Sequence, residues 1–367
     1  MEKVTWLPAD PVEGSVSMQR YWHELWRVAK ARGMEGRITS PLGEPSYPVE
    51  RASRWKRAYR NYLAYPREAA REVGENGIVH ILDHSYAHLA AGFGPEVRVV
   101  VTVHDLIPLR EREGLSDAQL RRIRERVGWV RRADRVVAVS DFTRGDIVKF
   151  LGVERERIEV IPNGTAFGEV EEERPAEWER VEGWGREGLF RLLVVGSAVP
   201  RKNLGMVSEV VQRLEREGIR CAVVKAGSAF PSIVRERLER EIGADRMIGA
   251  GLVSDGTLKW LYGACDVMFF PSKLEGFGLP VVEALGCGCP VVCSGAASLP
   301  EAGGDAAYYF DFSDADAAAA KLLEVVRSGD ADLRERVERG REWGAGFTWE
   351  RHFDGLLGVY DGLERAG

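Results

Sequence analysis

Short apolar runs recur along this chain, each followed by a longer stretch with helix-like spacing. That alternation is the pattern of βα units wound around parallel strands, and it excludes an all-helical bundle or an all-β sandwich. In the first half the strand candidates are residues 3–7, 78–82, 98–103, 135–139 and 158–161; in the second they are 191–195, 220–225, 247–249, 267–270, 290–293 and 307–310. Two separate parallel sheets are therefore predicted, and 367 residues exceed what one hydrophobic core usually organises. Between them, residues 167–188 mix acidic residues, Gly and Trp without a strand pattern and read as an interdomain connection. Trp349, Phe353, Leu357 and Tyr360 fall at helical spacing, so residues 348–363 form an amphipathic helix with a face to bury.

Charge is unevenly placed. Residues 1–165 hold 27 Lys/Arg against 23 Asp/Glu and the remainder 24 against 34. A basic first half points to an anionic partner such as a phospholipid headgroup or a phosphate-bearing acceptor, but neither half is basic enough for nucleic acid. No window offers about 18 uninterrupted apolar residues, and the N-terminus lacks a secretory pattern, so the expected location is cytoplasmic. The five cysteines fit free, buried thiols in a reducing compartment. Cys287, Cys289 and Cys293 could be offered as a metal site, but no His lies nearby and residues 291–292 read as buried strand, so no metal is expected.

The chemistry concentrates after the strand at 267–270. Ser272-Lys273-Leu274 leads into Glu275-Gly276-Phe277-Gly278, and an apolar helix then runs from Leu279 to about Cys287. Glycines let backbone approach a ligand, and a helix start offers free N–H groups and partial positive charge to a phosphate. Glu283 lies just over one turn inside that helix with its side chain leaning back toward the start, while Glu275 precedes the loop. Two carboxylates so placed bracket a phosphate-sized site and suit the paired hydroxyls of a nucleotide sugar. Taken alone, a Gly-x-Gly before a helix is a common connector; the strand, both glutamates and Pro280 together specify more.

This segment resembles the donor signature of glycosyltransferase family 4, retaining enzymes of GT-B fold. The resemblance extends through 253–266, Pro290-Val291-Val292 and Ser298-Leu299-Pro300-Glu301. It implies two Rossmann-like domains with parallel sheets facing an interdomain cleft: an acceptor domain of residues 1–166, a donor domain of 186–346, and a final helix, 347–367, that crosses back onto the first. By the same resemblance Glu283 binds the donor ribose, Glu275 contacts the transferred sugar, and backbone at Gly276, Phe277, Gly278 and Leu279 faces sugar and diphosphate. Gly196 and Ser197 end the strand before Arg201 and Lys202, the cation pair implied to clamp the diphosphate; alone, that pair would read as solvated surface. Val253 brings backbone to the donor base, although Gly249-Ala250-Gly251 imitates a dinucleotide fingerprint without its third glycine. His104 ends an apolar strand where open α/β sheets place ligands, and the family carries a similar His-Asp. His104 is then expected to hold a sugar hydroxyl, with Asp105 acting locally or orienting it.

Two features of the first half stand apart. The family usually has two clustered glycines where this chain has Gly14-Ser15-Val16-Ser17, so Gly14 and Ser15 are candidates for phosphate or acceptor contact on an altered loop. Residues 51–65 interleave Arg51, Arg54, Lys56, Arg57 and Arg60 with Trp55, Tyr59, Tyr62 and Tyr65. This helix reads either as an aromatic core face with solvated cations or as a peripheral contact with anionic lipid at the inner membrane face. The implied activity is retaining transfer of a hexose-type sugar from a nucleoside-diphosphate sugar to a glycan, lipid-linked or small-molecule hydroxyl, with no cofactor. The segment 104–108 resembles mannosyltransferase-like members and leans toward a GDP- over a UDP-sugar. The alternatives are a catalytically silent nucleotide-sugar-binding subunit and an epimerase or phosphorylase on the same fold.

Overall fold

A computed structural model describes residues 3–13, 15–45, 52–73, 77–112, 114–168, 170–175 and 178–365. The chain forms two compact units, Met1–Gly164 with Thr348–Gly367, and Thr165–Phe347.

The first unit is built on β1 (Val4–Leu7), β2 (Ile38–Thr39), β3 (Gly77–Ile81), β4 (Val97–Val103), β5 (Arg135–Ala138) and β6 (Ile158–Val160), in the order β2-β1-β3-β4-β5-β6. Every pairing is parallel, as between Ile81 and Val101 or Val101 and Val136. Helices cover both faces, so the central strands read as unbroken apolar runs: Val99, Val100, Val101 and Val103 are all buried. β2 is the strand that periodicity did not predict. It has two residues, too few to show an alternation, and pairing with Val4 and Thr5 makes it a strand.

The last helix, Trp349–Arg365, packs on the helix Val16–Ala31 of this unit. Its polar residues are tied into the core. Tyr360 Oη accepts from Trp6 Nε1 at 3.0 Å and donates to His80 Nδ1 at 2.6 Å, and His80 Nε2 donates to Thr102 Oγ1 at 2.8 Å. About two turns earlier in the helix, Tyr21 donates to His352 Nε2 at 2.8 Å while His352 Nδ1 donates to the Pro162 carbonyl at 2.8 Å. Each imidazole gives one proton and takes one, the pattern of the neutral ring.

The stretch 54–73 corrects the idea of an aromatic core face. Arg54–Tyr59 is α-helical, Arg60–Ala64 forms a π turn, and Tyr65–Val73 continues as α-helix. Trp55 is 86% exposed, and Tyr59, Tyr62 and Leu63 are also exposed. Asn61 and Tyr65, four residues apart, carry the buried face, with Tyr65 donating to the Pro8 carbonyl at 2.7 Å. The wider turn rotates the later residues, so Tyr65 meets the core and Tyr62 does not. Two of the cations are not free: Arg57 lies 3.0 Å from Glu13, and Arg60 lies 2.7 Å from both Asp10 and Glu68. Arg51 lies outside the described residues.

The second unit carries β7 (Phe190–Val195), β8 (Cys221–Ala226), β9 (Met247–Gly251), β10 (Val267–Phe270), β11 (Val291–Ser294) and β12 (Tyr308–Phe310), in the order β12-β11-β10-β7-β8-β9, again all parallel. Its core joins Leu192, Val194, Val223, Phe269 and Val292 from the sheet to Val207, Val211 and Leu214 of the helix Gly205–Arg216. Within 167–188, where no regular pattern was read, Glu179–Arg186 is a helix with Val181 and Trp184 buried. All five cysteines are free thiols, four of them buried. Among the described residues no helix is long and apolar enough to cross a membrane.

Burial pushes His80 down to about 3 and His352 down to about 4, the neighbouring imidazoles adding to it. An unfolded chain protonates both near about 6.5. The unfolded state therefore binds more protons between these values, and acid favours it. The contribution of these histidines to stability is complete above about pH 6.5 and is lost as pH falls through 4 toward 3. Urea unfolding followed by Trp fluorescence should show the first unit losing stability steeply from pH 6.5 to 4. Tyr360→Phe, which strips His80 and Trp6 of their shared partner, should cost about 1–3 kcal/mol at pH 7; an unchanged urea midpoint would count against the network.

Candidate functional site

β7 and β10 lie side by side although β8 and β9 intervene in the chain, and the connections from their carboxyl ends leave toward opposite edges of the sheet. In an open parallel sheet the crevice at such a reversal is where ligands bind. Arg201 and Lys202 follow β7, and Glu275 follows β10.

The structure brings these three together. Glu275 Oε2 lies 2.8 Å from Arg201 Nη1, and its Oε1 lies 2.6 Å from Lys202 Nζ. The Ser272 hydroxyl donates to the same Oε1 at 2.6 Å. Backbone bonds hold the two loops: Arg201 Nη1 donates to the Leu274 carbonyl at 2.9 Å, and Lys273 N–H donates to the Arg201 carbonyl at 2.8 Å. Lys202 Nζ also sits 4.5 Å from the centre of the Phe270 ring. Burial opposes both charges of the pair, with different results. At Glu275, Lys202 and then Arg201 overcome burial and hold the carboxyl below its usual range. At Lys202, burial outweighs the pull of Glu275, so the ammonium is held below its usual range. One carboxylate shared by two cations is overcompensated, and each cation is undercompensated.

Beyond this triad the helix Leu279–Gly286 begins, with Pro280 in its first turn, where no N–H is needed. Gly278 ahead of it has φ of 117°, and a Cβ there would lie 2.9 Å from Leu299 Cδ2, so glycine is required both by conformation and by space. The Ser298 hydroxyl lies 3.0 Å from the Glu275 carbonyl and 2.7 Å from that of Phe277, fixing the loop between them. Glu283, buried in this helix, accepts from the Tyr262 hydroxyl at 3.2 Å. Burial and then the charge of Glu283 raise the Tyr262 pKa well above the ordinary value, so Tyr262 remains a donor to that carboxylate.

On the other side of β7, Gly196 has φ of 115° and its carbonyl accepts from Lys225 Nζ at 2.5 Å; the same ammonium donates to the Ala226 carbonyl at 2.9 Å. Lys225 is buried, and burial followed by repulsion from Lys202 pushes its pKa down to about 8. Sequence reasoning missed Lys225, whose place within an apolar run gave no signal. It also missed Ser272 and Tyr262 as partners of the two glutamates, because hydroxyls three and 21 positions away are not marked by spacing. Ser197 and Val253 are half-buried, Val253 on the loop after β9, and Gly249 and Gly251 belong to β9 itself. Arg201, Lys202 and Lys225 against Glu275, beside a helix start, form a basin of net positive charge suited to a diphosphate.

The first unit holds the remaining candidates. His104 follows β4, buried, with Nε2 donating to the Leu82 carbonyl at 2.9 Å and its ring edge-on to Tyr21 at 4.6 Å. Burial lowers its pKa, so the ring is neutral at pH 7 and Nδ1 is the acceptor nitrogen. Asp105 acts locally, accepting from Ile107 N–H at 3.0 Å. Ser15 precedes the helix Val16–Ala31 without a side-chain cap bond, and Gly14 lies outside the described residues. Among the described residues no group of three or more His, Cys, Asp or Glu is placed to hold a metal ion.

Comparison with known proteins agrees in both halves of the chain. Residues 178–343 match the family model for glycosyl transferases group 1, and residues 18–166 match that for Glycosyltransferase Family 4. O-antigen chain mannosyltransferase B of Escherichia coli is 32% identical over 234 residues, 61% of this chain and 60% of that protein's length. A D-inositol 3-phosphate glycosyltransferase of Segniliparus rotundus is 27% identical over 315 residues, 80% of this chain and 69% of its own. Among solved structures, HepE of Anabaena in complex with UDP and glucose superposes with a TM-score of 0.74 at 15% identity, over 99% of this chain and 100% of that one. At that identity the likeness establishes the fold, GT-B.

Removing the shared carboxylate tests the charge arrangement directly. Glu275→Gln leaves Lys202 and Arg201 facing each other and should destabilise the second unit by roughly 2–4 kcal/mol at pH 7. Inorganic phosphate should then raise the melting temperature of the variant more than that of the native chain. Equal phosphate shifts in both proteins would be the adverse result.

Proposed function

This chain belongs to the glycosyl transferases group 1, with a Glycosyltransferase Family 4 first half, and we propose that it transfers a hexose-type sugar from a nucleoside-diphosphate sugar to a hydroxyl acceptor with retention of configuration. The observation that carries this reading is the Glu275 carboxylate held between Arg201 and Lys202 beside the start of the helix Leu279–Gly286. The diphosphate takes the place prepared by the two cations and the helix N–H groups, which stabilise the charge that develops as the sugar–oxygen bond breaks. Glu283, oriented by Tyr262, accepts the ribose hydroxyls, and the backbone of Gly276, Phe277, Gly278 and Leu279 lies against sugar and diphosphate. Gly196 and Ser197 line the phosphate side, and Val253 offers backbone to the base.

Glu275 contacts the transferred sugar. As the diphosphate draws Arg201 and Lys202 toward itself, the carboxylate is freed to accept sugar hydroxyls. The neutral His104 accepts a hydroxyl on Nδ1. The acceptor hydroxyl then attacks the oxocarbenium-like sugar on the face the nucleotide leaves, forming the new glycosidic bond as the sugar–diphosphate bond is lost and passing its proton to the departing diphosphate oxygen. Cations and helix dipole supply what a divalent ion would otherwise provide, so the reaction proceeds without metal. HepE is described in complex with UDP and glucose, and the mannosyltransferase relative supports a hexose as the transferred group. The reaction takes place on the cytoplasmic side, and the exposed Trp55, Tyr59, Tyr62 and Leu63 support a peripheral contact with the membrane.

Thermal-shift measurement against UDP, GDP, ADP and their sugars should single out one nucleoside diphosphate that raises the melting temperature. Glu283→Gln should weaken that nucleotide about tenfold or more, the loss of charge-assisted hydrogen bonds. Lys202→Ala should lower kcat by about 10²–10³ with a smaller change in KM. Transfer should persist in excess chelator; loss of transfer that a divalent ion restores would overturn the metal-free reading.

A further inference from the structure

The first unit carries a cavity that no role above uses. Its volume is about 440 Å³, within the range of small-molecule sites, and Arg122, Arg126, Gln119, His84, Ser85 and Tyr62 line it. His84 and Ser85 follow β3, and Pro108 on its wall follows β4, so the cavity opens at the carboxyl ends of adjacent parallel strands. The same two loops hold His104, whose Nε2 bonds to Leu82 just ahead of His84.

Charge decides what such a cavity takes. Arg122 and Arg126 stand four residues apart on the helix Asp117–Val127 and therefore share a face. Neither pairs with a carboxylate among the described residues. Arg126 is oriented by an uncharged partner, donating to the Tyr62 hydroxyl at 2.8 Å with its guanidinium 5.8 Å from that ring. Like charges at this spacing repel. His84 Nδ1 is buried without a hydrogen-bond partner, 3.6 Å from Asp83, whose carboxylate accepts instead from Ser85 N–H. Two guanidinium groups on one helix face, with the Tyr62 ring beside Arg126 and His84 also in the lining, suit a doubly charged anion attached to a ring or chain.

We propose that this cavity binds the phosphate group of a phosphorylated acceptor through Arg122 and Arg126. The inference rests on the transferase reading above and narrows its acceptor to a phosphate ester.

Isothermal titration with a panel of hexose phosphates, the matching free hexoses, glucuronate and inorganic phosphate tests it. The expected result is that at least one hexose phosphate binds tenfold or more tighter than its hexose, and that Arg122→Gln and the double variant Arg122→Gln/Arg126→Gln lose that preference. Among the described residues Arg122 makes no side-chain hydrogen bond or ion pair, so Arg122→Gln should fold even if the double variant does not. Binding of phosphatidylglycerol vesicles over phosphatidylcholine vesicles, dependent on the same arginines and without binding of soluble phosphates, would identify the phosphate as a lipid headgroup. Equal binding of phosphate and glucuronate, or native preference in the variants, overturns the proposal. Transfer to a hydroxyl acceptor with no phosphate preference defeats this inference alone. Arginine-dependent phosphate binding by a chain that turns over no nucleotide sugar defeats the transferase reading alone.

Discussion

The bridge from Glu275 to Arg201 and Lys202 fixes the ends of two neighbouring strands whose connections run in opposite directions. The loops after β7 and β10 have no hydrogen-bond ladder to register them once the strands end. The carboxylate, with Ser272 and the Arg201 carbonyl, takes over that task. A buried ion pair of this kind is a poor source of stability, because desolvation offsets most of the attraction. Its value lies in the surplus: a second cation leaves the assembly with net positive charge. The glycine at 278 and the serine at 298 hold the helix start beside it.

The first unit solves a different problem with uncharged groups. Its histidines 80 and 352 are locked as neutral rings between hydroxyls and a carbonyl, and they fasten the last helix of the chain to the sheet. Each is satisfied in one tautomer only, so burial and hydrogen bonding favour the same state. His104 belongs to the same buried cluster, edge-on to Tyr21, which in turn bonds to His352. His104 is thereby given a fixed ring orientation by residues more than 80 positions before it and more than 240 after it.

The strands of both sheets were legible because parallel strands covered on both faces are written as contiguous apolar runs, and 11 of the 12 were read to within two residues. The donor-like loop was legible because its chemistry is local: Glu275, two glycines, Pro280 and Glu283 lie within nine residues. Long-range partners were not. Tyr262 meets Glu283, Lys225 meets Gly196, and Arg126 meets Tyr62 only after strands and helices are stacked. The helix from Arg54 misled for another reason: Trp55, Tyr59 and Tyr62 all fall on the exposed side, and aromatic character alone does not say whether a face meets a core.

By itself, then, the sequence determined two parallel α/β units and the residue types of the loop at 275–283, since both depend on spacing along the chain. The tertiary structure alone decided that one carboxylate is shared by two cations, that the aromatic side chains 55, 59 and 62 face outward, and that Arg122 and Arg126 open onto a cavity beside the His104 loop. Those are matters of which surfaces meet, and burial, charge pairing and pKa are set by the neighbours that folding supplies.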